Sequence, residues 1–124
     1  TLESLELNNM PYLDIIWAND NKLTQVNIEN LKNLQYLNLN KNLISQIEFN
    51  SLPNLKELKL EYNQLKQLNV ENLEGLEILS IGYNQLQRLY ANGLQYLETI
   101  LASCNKFKDI LIKDLPRCKY INLA

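Results

Sequence analysis

The apolar residues of this chain stand in columns spaced 21 residues apart. Leu13, Leu34, Leu55, Leu76, Leu97 and Cys118 form one column, taken as position one. Position four holds Ile16, Leu37, Leu58, Leu79, Ile100 and Ile121, and position six holds Ala18, Leu39, Leu60, Ile81, Ala102 and Leu123. Further apolar columns follow at positions eleven, fourteen, sixteen and nineteen. Position nine is polar and never varies: Asn21, Asn42, Asn63, Asn84 and Asn105. The period defines five full repeats starting at 13, 34, 55, 76 and 97, with partial repeats 1–12 and 118–124, read together as a single domain over 1–124.

Alternation of apolar and variable residues at positions four to six is a strand signal. It predicts strands near 15–19, 36–40, 57–61, 78–82, 99–103 and 120–123. Six strands about 4.8 Å apart make a parallel sheet roughly 24 Å wide. A second alternation at positions fourteen to sixteen predicts short extended segments, not helices, on the opposite side. Pro11, Pro53 and Pro116 share position twenty and suit an irregular corner there. Three heptads also make 21 residues. The seven apolar positions nevertheless fall on six different heptad positions, so no coiled-coil seam results.

The spacing L-x-x-L-x-L-x-x-N-x-L, matched in five consecutive units, resembles that of leucine-rich repeats. The resemblance covers essentially the whole chain. It implies a solenoid with a short parallel sheet on the concave face and extended or irregular segments on the convex face. The 21-residue unit looks like a short bacterial class related to internalins, although it lacks a cysteine column at position six and a fixed Asp before position sixteen.

In such a coil the Asn column is scaffold chemistry. A side-chain amide offers donors and an acceptor together, so stacked Asn side chains are expected to pair with backbone groups of their own turn and the next. Each apolar column can be buried only by neighbouring turns. Thr1 and Ala124 fall inside repeat units with no recognisable polar cap. Apolar edges are therefore expected at both ends, exposed because the chain is an excerpt of a longer protein or covered by other copies.

Candidate binding residues lie at concave positions free of core duty. They are Ile15, Trp17, Tyr36, Lys59, Tyr62, Ile78, Tyr83 and Leu101. Contiguous apolar side chains on a solvent-facing sheet often mark an interaction site, and Trp and Tyr are favoured anchors. The competing reading is local packing of large side chains over the small Ala18 and Ala102. Glu57, Lys59 and Glu61 form a charged stripe that reads as solvated, with Lys41 placed to pair with Glu61. Glu57 and Glu61 stand about 13 Å apart by strand rise, too far for a glycosidase pair.

Composition narrows the chemistry. With no His, the commonest general base and metal ligand are absent. No catalytic residue, metal site or cofactor is expected, and the chain is read as no enzyme. The formal charge of −2 and the scattered basic residues argue against nucleic acid. No apolar run approaches the roughly 18 residues that span a bilayer. Cys118 is expected to be a buried small hydrophobe. Cys104, at position eight, lies about 20 Å away by strand rise, so two free thiols are predicted.

The resulting expectation is a non-enzymatic module that binds a protein partner through its concave face. The resemblance implies a bacterial surface or secreted protein engaging host or neighbouring-cell molecules; a cytoplasmic location is left open. The alternatives are a glycan-binding module, using Tyr36, Tyr62 or Tyr83 beside free amides, and the recognition part of a larger enzyme. A symmetric homodimer is a further expectation, from the uncapped ends and the Trp17 patch.

Overall fold

A computed structural model describes residues 1–124 as a right-through solenoid of parallel strands with no helix. Its strands are β1 (Ser4–Asn8), β2 (Ile15–Trp17), β3 (Gln25–Glu29), β4 (Tyr36–Asn38), β5 (Glu57–Lys59), β6 (Gln67–Asn69), β7 (Ile78–Ser80), β8 (Arg88–Tyr90), β9 (Thr99–Leu101) and β10 (Tyr120–Asn122). The concave sheet runs β2-β4-β5-β7-β9-β10, every pair parallel and in a 21-residue register. Position four therefore forms one inward row, with Ile16 opposite Leu37 and Leu37 opposite Leu58. This is the solenoid, with a short parallel sheet on its concave face, that the resemblance implies.

The concave strands are three residues long rather than the four or five expected. The ladder itself continues: Ala18 N–H donates to the Asn38 carbonyl at 2.9 Å, and Asp20 N–H to that of Asn40 at 3.0 Å. What ends the strand is position eight. Asp20, Lys41, Tyr62, Tyr83 and Cys104 all have φ between 54° and 57°. This left-handed conformation, unfavourable for side chains with a Cβ, turns the chain out of the sheet.

The Asn column closes that turn. Asn63 donates to the carbonyls of Leu39 at 3.0 Å, Leu60 at 3.2 Å and Glu61 at 3.4 Å, while its Oδ1 accepts Ile44 N–H at 3.0 Å. Asn42, Asn84 and Asn105 repeat the pattern one turn apart. The bonds outside each amide's own turn reach the preceding turn, not the following one. The reason is that the chain enters the convex side of the preceding turn directly beneath the amide, presenting the N–H of position eleven. No buried side-chain nitrogen or oxygen lacks a partner.

Apolar columns fill the interior as one cluster of 28 buried residues from Ile16 to Ala102. Each fully buried Leu or Ile contributes about 1.5–3 kcal/mol, supplied by the turns on either side of it. The outermost turns lack one of those neighbours. Leu2 and Ile121 are 49% and 45% exposed for that reason, and Cys118, expected to be buried, is only half-buried.

On the convex side, extended segments form strands in four of the six turns, as two separate pairs, β1-β3 and β6-β8, and not at 47–49 or 110–112. A single bridge, Glu29 to Asn50, reaches the turn between them.

Candidate binding face

Position three and position five of the concave sheet point away from the core, and register places their members side by side. Ile15 stands opposite Tyr36, and Trp17 opposite Asn38; the next strand adds Glu57 and Lys59. These residues surround a pocket of about 320 Å³, floored by Leu37. Trp17 is 78% exposed, and Ile15 and Tyr36 are 44% and 41% exposed. Lys59 Nζ lies 3.1 Å from Glu57 Oε1, both side chains half-exposed. The pocket thus joins an aromatic and aliphatic wall to a paired charge and to the Asn38 amide, whose Oδ1 accepts the Asn40 N–H at 3.0 Å.

Four of the eight candidate residues therefore meet in one place: Ile15, Trp17, Tyr36 and Lys59. Ile78 and Leu101 lie further along the sheet, on β7 and β9, and are half-buried. Tyr62 and Tyr83 stand apart on the rim, in the left-handed turn. Their rings stack with centroids 4.3 Å apart and planes 7° from parallel. One face of each ring is covered by the other. The Tyr83 phenol is raised above its ordinary value, first by the neighbouring Cys104 thiol and then by Tyr62.

Glu57 and Asn38 belong to the pocket although the charged stripe reads as solvated in the sequence. The signal that places them is the 21-residue register, which sets them beside Tyr36 and Trp17. Lys41 does not pair with Glu61. It faces Asp20, its position-eight neighbour, at 3.7 Å, while Glu61 accepts from Asn40 Nδ2 at 3.2 Å. The left-handed turn carries Lys41 out to the rim, away from position seven. Both cysteines are free thiols, with Cys104 exposed.

Residues 1–65, more than half of the 124, match the family model for the leucine rich repeat. The chain belongs to the leucine-rich repeat family, whose domains are generally non-enzymatic protein-interaction modules. No curated protein and no solved structure matches it. No helix is long and apolar enough to cross a membrane.

Proposed function

We propose that this domain is a recognition module that binds a protein partner through the concave face, with Trp17 as its anchor. The observation that carries this reading is the Trp17 pocket. A mostly exposed Trp beside Ile15 and Tyr36, with a charge pair on the far wall, has the make-up of a binding hot spot: an aromatic anchor within a polar surround. Packing over Ala18 does not account for it, because Trp17 remains 78% exposed. Glycan binding at the rim is the weaker reading, since Tyr62 and Tyr83 cover one another's faces. By the resemblance to internalin-like repeats, the reading extends to a bacterial surface or secreted protein with a host or neighbouring-cell partner.

The test is affinity capture followed by binding measurements on the purified captured protein. Trp17→Ala is expected to weaken that binding about tenfold or more, equivalent to about 1.4 kcal/mol. Unchanged affinity for both Trp17→Ala and Tyr36→Ala would place the partner elsewhere. The same patch could be met by a second copy of this chain. Light scattering at micromolar concentration then gives twice the monomer mass for wild type and the monomer mass for Trp17→Ala.

A further inference from the structure

The convex side contains a feature that the concave reading leaves unused. Between β3 and β6 the turn carrying residues 45–49 leaves the ladder. The N–H groups of Ser45, Gln46, Ile47, Glu48 and Phe49 make no hydrogen bond within the protein. The result is an open groove of about 870 Å³ running from Ser4 to Tyr90.

The lining has a definite chemistry. Leu5, Val26, Ile47 and Leu68 form a narrow apolar floor. Six carboxamides flank it: Gln25, Asn27, Gln46, Asn50, Gln67 and Asn69. An amide both donates and accepts, which suits a hydroxyl, itself a donor and an acceptor. Tyr90, 42% exposed, offers a ring at one end of the groove. None of the lining residues is basic, and Glu6 and Glu48 give the groove a negative balance. That disfavours phosphates, nucleic acid and acidic sugars. The amide columns also repeat at the spacing of the turns, about 4.8 Å, close to the length of one pyranose ring along an extended chain.

We infer that this convex groove is a second binding site, for a neutral, extended oligosaccharide. The sugar's C–H faces rest on the apolar floor and on Tyr90. Its hydroxyls exchange hydrogen bonds with the amide rows and with the free N–H groups of Gln46, Ile47 and Glu48, which line the groove. The inference is independent of the concave reading, because the two faces share no lining residue.

Calorimetric titration with cellohexaose and hexa-N-acetylchitohexaose tests it, with hexagalacturonate as the charged control. A hexapeptide of alternating Thr and Val serves as the rival, since it could pair with the free backbone. At least one neutral hexasaccharide is expected to bind. Gln46→Ala and Tyr90→Ala are each expected to weaken it about tenfold or more, with circular dichroism unchanged, while Trp17→Ala binds as wild type. Hexagalacturonate is expected to bind far more weakly. The inference is overturned if neither neutral saccharide binds at millimolar concentration, if both groove variants bind like wild type, or if the peptide alone binds.

Discussion

At the scale of single residues, two columns one position apart behave in opposite ways. Position nine is invariant because its amide has four backbone partners; position eight varies freely although its backbone is the more unusual. The sequence announces the first and hides the second. Asp20, Lys41, Tyr62, Tyr83 and Cys104 share no chemistry, yet all adopt the left-handed turn, held there by the amide that follows. Replacing Asn63 by Ala leaves the Ile44 N–H without its partner and removes one of the two hydrogen bonds made to each of the carbonyls of Leu39, Leu60 and Glu61. Destabilisation of about 1–3 kcal/mol is expected in urea melts. Asn38, half-buried with one local bond to Asn40 N–H at 3.0 Å, should cost less than half as much when changed to Ala. Equal losses would contradict the roles assigned to the two side chains.

Tyr83 supplies a second test at this scale. Its phenol is raised by Cys104 and Tyr62, and the unfolded value is about 10. Above that value the unfolded chain loses the Tyr83 proton more readily than the folded one, so this group's contribution to stability is intact below pH 10 and declines as pH rises through the folded value. In a spectrophotometric titration Tyr83 should ionise late. Cys104→Ala should move it back toward the ordinary value, and a titration curve unchanged by that substitution would dismiss the thiol as the cause.

Elements show where legibility stops. The concave strands follow from position four, and their order follows from the period alone. The two convex pairs do not. Apolar columns run unbroken through Ile47 and Phe49, so nothing in the pattern marks the turn that leaves the ladder and opens the groove. The pocket was half legible: Trp17 and Tyr36 stand out as exposed aromatics, whereas Glu57 and Asn38 join them only through register. Two glycines test how tightly the turns sit. A Cβ built on Gly75 would lie 2.9 Å from the Pro53 carbonyl oxygen of the preceding turn. Gly93 has open space around it but a φ of +74°. Gly75→Ala is expected to cost about 1–3 kcal/mol by forcing the turns apart. Gly93→Ala should cost about 1–2 kcal/mol through backbone strain, most of which Gly93→Asn should avoid. Thermal melts of the three variants separate contact from conformation; rescue of Gly75 by Asn as well would refute the contact explanation.

Across the whole molecule, stability is built from neighbours, and a pair of amides can report how far that locality extends. Leu60 N–H donates to the Ser80 carbonyl and Ala102 N–H to that of Asn122, both at 2.8 Å. Both residues occupy position six, and both are fully buried. By hydrogen bond and by exposure they are equivalent. They differ in what lies beyond: Ser80 belongs to β7, with β9 and β10 still to follow, whereas Asn122 belongs to β10, the outermost strand. Strand β10 is held by one neighbour, and its inward Ile121 is 45% exposed. In a solenoid each turn interacts only with those beside it, so an outer turn can open while inner ones stay closed. Opening of β10 frees the Ala102 amide and leaves Leu60 untouched. Native-state hydrogen exchange should therefore find Ala102 faster than Leu60 by about tenfold or more, a gap of about 1.4 kcal/mol in opening free energy. Adding denaturant should raise the Leu60 rate more steeply, because its exposure requires more turns to open. Equal rates with equal denaturant dependence would show that the six concave strands open as one cooperative body.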